Sequence, residues 1–551
     1  MAWLIPSSPA YTGVPVLQAR RFFFISATLA RMEERIQQAV GAAVTVRRPL
    51  PAFGDYAVFG GAQAEAMAEK IRTTLGDAAE KVEIAKGFVN ITLSRTAVVL
   101  ALTEAVAEGD AWGQSKGAGS RGQEVGERVM VEYTDPNPFK EMHIGHLMSN
   151  AIGESIARLF ESRGAVVERA NYQGDVGLHV AKAIWGKQKK PGVSWGEAYV
   201  FGSKNYESHK EEIDSLNKVI YEKSDSQINA LYSEGRAESL AHFETIYQKL
   251  GTRFTHYFFE SEVGPIGVKL VTEHPDVFEK SDGAIVFKGE PYGLHTRVFI
   301  NSKGLPTYEA KELGLVAAKK AKGDYGLSLT ITANEIQEYF KVVRKAAEMV
   351  FPELEGKMQV RFHGLLKLTT GKMSSREGNV ITAEAFIKEV TAKASERSPD
   401  PLIAEQVAIG AIKYMILRQS PGQDIIFDAE KSLSLEGDSG PYLQYALVRA
   451  KKILTYVGNG AGGTEEPQVP YAVERVILHY PEVVARAASE KAPNLVVNYL
   501  TELARAWNAF YASEQVLGSP EEMYKQRVAR AFATTMTNGL TLLGIPTPEQ
   551  M

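Results

Sequence analysis

The sequence predicts a multidomain α/β protein, with a parallel-sheet core between a small α+β N-terminal domain and an all-α C-terminal domain. Three observations predict it. The 551 residues exceed what one hydrophobic core organises and suggest roughly three or four domains. The order strand, turn, helix, strand from Val129 to Tyr172 opens a parallel βαβ unit. From about Lys431 to the end the apolar spacing is helical, with a Gly-rich break at 458–463.

Taken in order, residues 1–31 are read as a disordered leader. Arg20 and Arg21 precede a short apolar run, Phe22 to Ala30, that has the order of a signal core but is short for one. MEERIQQAV, with acids in its first turn, predicts a helix over 32–42, and Met32 is a candidate start. A loop through Pro49, Pro51 and Gly54 leads to a second helix, Ala62 to Leu75. The alternating VEIAKGFVNITLS then predicts strands. These pieces form the N-terminal α+β domain, 32–115, ended by the Gly-rich linker 113–126. VMVEYT is a buried-type strand, followed by a Pro- and Asn-containing turn, a helix Ile144 to Ser162, and the strand AVVERANY. The core is expected over 126–362. Residues about 182–250, rich in Lys, Glu, Ser and Tyr at helical spacing, are expected to form an insertion on it. Strands return in GAIVFKG, TRVFIN, LSLTITA and MQVRFHGLL. A connecting region covers 363–430 and the helical domain 431–551. No internal repeat is evident.

Composition removes several function classes. With no cysteine, disulfides, thiolate zinc sites and cysteine nucleophiles are excluded, and a reducing, cytoplasmic setting is expected. A net charge of -4 argues against a uniformly basic nucleic-acid coat but leaves room for a local basic groove. No apolar run approaches the roughly 18 residues of a membrane span.

Two segments carry chemistry. In VEYTDPNPFKEMHIGHLMSNAIGESIARLF, Val131 to Phe160, His143 and His146 flank Gly145 at the start of a helix that follows a strand. Free N–H groups and the positive end of the helix dipole suit a polyphosphate there. The histidines can donate to phosphate oxygens, and Gly145 permits close approach of an adenine ring. A metal pair is the competing reading; with no cysteine and no evident third ligand, no metal site is expected. In KLTTGKMSSREGNVIT, Lys367 to Thr382, Gly371, Lys372, Ser374 and Ser375 offer a cation and hydroxyls to a triphosphate. Alone, that string is an ordinary solvated turn.

Together, HIGH at 143–146 and KMSSREGN at 372–379 resemble the signature pair of class I aminoacyl-tRNA synthetases. The resemblance implies a Rossmann-like core binding ATP, with Mg2+ accompanying it, at the carboxyl ends of the strands. It also implies electrostatic stabilisation of a pentavalent α-phosphate by the HIGH histidines and the lysines of the second motif. The chain resembles the arginyl enzymes in particular. Glu132, Asp135-Pro136-Asn137, Lys140 and His143 follow that family's approach to HIGH, with Asp135 where the family has Ser. NYQGDVG (171–177), DGAIVF, TRVFINSKGLPTYEAKELG and GDSGPYLQYALVRAKKIL follow its further blocks. GDYAVF and GFVNITLS resemble its tRNA-elbow domain; YLTELARAWNAFY and NGLTLLGIPTPEQM resemble its anticodon-binding domain.

The resemblance implies that Tyr308, Glu312 and Glu260 receive the arginine guanidinium, with Glu312 where the family has Asp. Glu132, Asn137 and Asp135 are implied at the amino and carboxylate ends. Where relatives place a Gln, the chain has Glu335, Ile336 or, in a shifted register, Gln337. Ser375 replaces the second KMSKS lysine, and Lys140 is implied to compensate. Tyr499, Asn508, Tyr511 and Met551 are the implied tRNA contacts. The expected partners are ATP, L-arginine and tRNA(Arg), with no membrane, for a monomer. Three readings compete: an adenylate-forming ligase of the same superfamily, a non-catalytic tRNA-binding paralogue, and a synthetase for another amino acid. The helical C-terminus, the intact signature residues and the acids Glu260 and Glu312 respectively count against them.

Overall fold

The computed structural model describes residues 32–114, 126–368, 381–456 and 463–551. The leader 1–31 and most of the Gly-rich linker lie outside the described residues. So do Lys372, Ser374 and Ser375. The chain divides into two compact units.

One unit comprises residues up to 113, 450–483 and 505–535. Its sheet contains β1 (Val46–Arg47), β2 (Tyr56–Phe59), β3 (Ala79–Ala85) and β4 (Phe88–Leu93), antiparallel in the order β1-β2-β4-β3. The β3–β4 hairpin turns on Lys86 and Gly87, at φ 50° and 79°, the two left-handed residues of a tight hairpin turn. The first helix, expected over 32–42, ends at Val40, because Gly41 swings to φ 102° and its N–H closes on the Gln37 carbonyl. The second begins at Ala64 after a short 3-10 turn, Gly61–Gln63. The third, Arg95–Glu108, starts at Ser94, whose hydroxyl accepts the Ala97 N–H and caps the helix. Ile36, Val58, Ile71, Val89, Ile91 and Val98 form the buried core. Arg95 donates to Glu474 at 3.0 Å and to the Tyr524 hydroxyl at 2.7 Å, tying this helix to two others of the same unit.

The other unit comprises residues 114–449, 484–504 and 536–551. At its centre is a parallel sheet of β5 (Arg128–Glu132), β6 (Val166–Gln173), β7 (His256–Phe259), β11 (Leu327–Ala333) and β12 (Met358–His363), ordered β12-β11-β5-β6-β7. This is the Rossmann-like sheet expected. The order reverses beside β5, between it and β11, and the carboxyl ends of strands at such a reversal are where open α/β sheets bind ligands. A small antiparallel sheet, β8 (Glu279–Ser281), β9 (Ala284–Phe287) and β10 (Arg297–Ile300), stands apart from it. Four helices, Leu178–Lys189, Trp195–Lys204, Lys210–Glu222 and Ser226–Leu250, pack around Val180, Ile184, Trp185, Trp195 and Ile213.

Two further helices, Glu260–Glu273 and Tyr308–Lys320, cross closely. A Cβ on Gly267 would lie 1.8 Å from the Ala310 carbonyl oxygen, and one on Gly314 would lie 2.0 Å from that of Val263. Glycine at both crossings lets the backbones touch. That contact sets the separation of Glu260 from Glu312.

Candidate active site

β5 ends at Glu132, and the turn after it is unusual. Thr134, Asp135 and Phe139 adopt φ of 81°, 49° and 68°, a region non-glycine residues avoid. Side-chain hydrogen bonds hold it there. The Ser149 hydroxyl accepts the Thr134 N–H at 3.0 Å, and the Ser239 hydroxyl accepts the Phe139 N–H at 2.9 Å. Asp135 Oδ1 accepts the Tyr172 N–H at 2.7 Å, and Asn137 Oδ1 accepts the Gly174 N–H at 3.1 Å. Asp135 and Asn137 therefore brace the NYQGDVG segment. Burial and then the Glu132 charge push the Asp135 carboxyl well above the ordinary range.

The turn delivers His143 to the N-cap of the signature helix Ile144–Ser162. His143 Nδ1 accepts the Gly145 N–H at 3.1 Å, and His146 Nδ1 accepts the His143 N–H at 3.0 Å. The two rings stack with centroids 3.6 Å apart. Each Nδ1 is thus an acceptor, so the proton of each neutral ring resides on Nε2, leaving two N–H donors at a helix N-terminus. Burial, aided by Lys140, lowers His143 to about 4. Burial, His143 and Lys140 hold His146 well below its usual value. Both rings are neutral near pH 7. The immediate reason for glycine at 145 is the His143 ring itself, whose Cε1 would lie 2.9 Å from a Cβ there.

The chain leaving the second signature motif is stitched to this turn. Thr382 bridges His143, and the Ala383 N–H donates to the Met142 carbonyl at 2.6 Å. Lys140 lies in the turn, its ammonium 4.9 Å from the Tyr199 ring centroid.

The expected arginine-binding acids gather on the helices Glu260–Glu273 and Tyr308–Lys320 and at the end of β5. None of the three is a solvated helix charge, and two already have cations. Glu260 is buried and accepts from Lys311 Nζ at 2.5 Å. Glu132 is buried in an ion pair with Lys319. Glu312 is raised to about 8, by burial and then by the Glu132 charge, with Lys319 opposing. Tyr308 shares the helix with Glu312 but differs from it in setting: it is 69% exposed at the first turn, while Glu312 is half-buried.

Glu335, Ile336 and Gln337 are all exposed. Tyr339, on the helix Gln337–Val350, and Tyr172 face the acids instead. Burial raises both phenols, and Glu312 and Glu260 raise them further. Sequence reasoning missed Lys311, Lys319, Tyr172 and Tyr339. No short-range pattern marked the two lysines: Lys311 is the immediate neighbour of Glu312 and so faces another way, and the carboxylates that Lys311 and Lys319 meet lie on other elements.

The expected tRNA contacts differ in setting. Tyr499 is buried, at 4% exposed. Tyr511 and Met551 are exposed and Asn508 is half-buried.

Residues 114–429 match the family described as tRNA synthetases class I (R), catalytic domain. The chain belongs to the class I arginyl-tRNA synthetases. This synthetase also matches, over 443–551, the DALR anticodon binding domain. It is similar to the arginine–tRNA ligase of Streptococcus mutans, 29% identical over 503 residues covering 86% of this chain and 88% of that one. The arginine–tRNA ligase of Flavobacterium psychrophilum is 27% identical over 476 residues, covering 77% and 79%. In fold it is similar to the Thermus thermophilus arginyl-tRNA synthetase, with a TM-score of 0.79 and 24% identity over 95% of this chain and 100% of that one. The synthetase is an ATP-using aminoacyl-tRNA ligase of the arginine type. No helix among its described residues is long and apolar enough to cross a membrane.

Proposed function

We propose that the chain binds L-arginine and MgATP at the carboxyl ends of β5 and β11, forms arginyl-adenylate, and passes the arginyl group to the 3'-terminal adenosine of tRNA(Arg). In the first step an arginine carboxylate oxygen bonds to the α-phosphorus and the bond to pyrophosphate breaks. In the second, a terminal ribose hydroxyl takes the arginyl group and AMP leaves. The observation that carries the reading is the reciprocal capping of His143 and His146. It fixes two Nε2–H donors at a helix N-terminus, where developing negative charge on a phosphate is stabilised most.

Lys140 supplies a cation from the turn, and Lys372, Ser374 and Ser375 complete the phosphate contacts. Glu312, Glu260 and Tyr308 receive the guanidinium, whose planar donors suit carboxylates. Glu132, Asp135 and Asn137 set the amino and carboxylate ends, the last two through the backbone they hold. Mg2+ arrives with ATP as part of the substrate. Neither signature histidine offers a metal a free lone pair, because both Nδ1 atoms accept backbone N–H groups.

The remaining assignments are proposals of the same standing. Residues 32–115 take the tRNA elbow, 431–551 take the anticodon, and the enzyme works as a cytoplasmic monomer. Aminoacylation of total tRNA with each of the twenty amino acids, one at a time, tests the reading. Charging by arginine alone is expected; charging by another amino acid, or by none, would overturn it.

A further inference from the structure

The second unit has a notch lined by Met148 and Ile152 of the signature helix, by Ile416, and by His363 at the end of β12, whose charge reaches His146. Arg361, on the edge strand β12, and Lys491 both line it. Two cations share one recess. Burial lowers the affinity of both for protons, and Arg361 lowers that of Lys491 further. Neither side chain has a hydrogen bond or ion pair with any described residue. Among the described residues the carboxylate acting on Arg361 is Glu490, which Arg486 already holds at 2.7 Å.

Lys491 also sits where a lysine is not favoured. It follows the helix Tyr480–Glu490 at φ 52°. Its N–H donates to the Ala488 carbonyl, and that of Ala492 donates to the Ala487 carbonyl. That pattern ordinarily places glycine at this position. On the same wall the Asn494 amide has no partner among the described residues, and its Oδ1 is sealed from solvent. The helix Pro493–Ser513 begins there, so its positive end adds to the two side chains. Like charges are brought together here, in a conformation that disfavours the residue supplying one of them, and an anion would offset their repulsion.

We infer that the Arg361–Lys491 notch binds a backbone phosphate of tRNA. The inference rests on the proposed function, which brings a polyanion to this enzyme. A guanidinium and an ammonium suit a phosphodiester.

The test measures tRNA(Arg) binding to the full chain across a salt series, for wild type, Arg361→Gln, Lys491→Gln and Lys491→Gly. Each variant is expected to bind roughly five- to tenfold more weakly and to lower the salt slope by about one. Michaelis constants for ATP and arginine should not move. Lys491→Gly should melt no earlier than wild type, since it removes both repulsion and left-handed strain; that separates a binding role from a structural one. Unchanged tRNA affinity and salt slope would overturn the inference. So would loss of inorganic phosphate binding with tRNA affinity intact, which would mark a free-anion site. Wild type is charged with arginine in the same series. If it neither binds nor charges tRNA, the proposed function fails; if it charges normally and the variants bind normally, only the notch fails.

Discussion

Lys311 donates to Glu260 across 2.5 Å, with both side chains buried. The acid proposed for the substrate guanidinium is therefore neutralised by a lysine of the chain itself. An incoming arginine must displace this ammonium or share the carboxylate with it. Lys311→Met is expected to lower the Michaelis constant for arginine several-fold, because the competitor is gone. It should also reduce stability by roughly 1–3 kcal/mol, since a buried carboxyl loses its partner. Steady-state kinetics and denaturant unfolding read the two effects. A raised arginine constant would mean that Lys311 orients Glu260 rather than competing for it.

Glu312 gives a pH signature. With its carboxyl raised to about 8, the empty site holds a proton at neutral pH. A bound guanidinium lowers that value and releases the proton. Arginine affinity should therefore rise with pH through 7 to 8. Binding heats measured in buffers of different ionisation enthalpy should report close to one proton released. The sign for stability is opposite to that of an ordinary carboxylate. The folded state binds the proton more tightly than the unfolded chain, so Glu312's contribution is lost as pH rises from its unfolded value to about 8. Glu312→Gln should abolish the proton release and raise the arginine constant by about two orders of magnitude.

The cation of the turn can be tested by relocation. Lys140→Ala is expected to cut turnover about a hundredfold at saturating arginine, as for loss of one contact to developing phosphate charge. Ser375→Lys in that background should restore part of it. Full turnover in the single variant would shift the role to Arg376, the cation that follows Ser375 in the second motif.

The helix crossing supplies a steric test. Gly314→Ala places a Cβ 2.0 Å from the Val263 carbonyl oxygen, so the two helices must separate. The arginine constant should rise with the ATP constant unchanged, and stability should fall by roughly 1–3 kcal/mol. Equal effects on both substrates would show that the crossing supports the whole cleft.

The signature helix was legible because its limits are local: a strand, a turn with Pro and Asn, and apolar spacing that runs from Ile144 to Ser162. The parallel sheet followed from the same alternation. The roles expected at Glu260 and Glu132 came from resemblance, and no short-range pattern exposed their partners. Lys311 meets Glu260 only because Gly267 and Gly314 let two distant helices touch. Lys319 meets Glu132 only because its helix packs beside β5. The burial of Tyr499 was not legible for a related reason: an aromatic at helical spacing looks the same in sequence whether its face is inward or outward.

The two signature histidines commit Nδ1 to the helix backbone, and under the proposed function Nε2 serves the substrate. Folding and chemistry are thereby placed under one selection. A descendant released from the need to charge tRNA would still lose its helix cap by changing either residue to an aliphatic one. Mutational drift through this motif is therefore restrained even when activity no longer matters. Asparagine, which can cap with its carbonyl and lacks the imidazole donor, is the substitution through which such a lineage would leave.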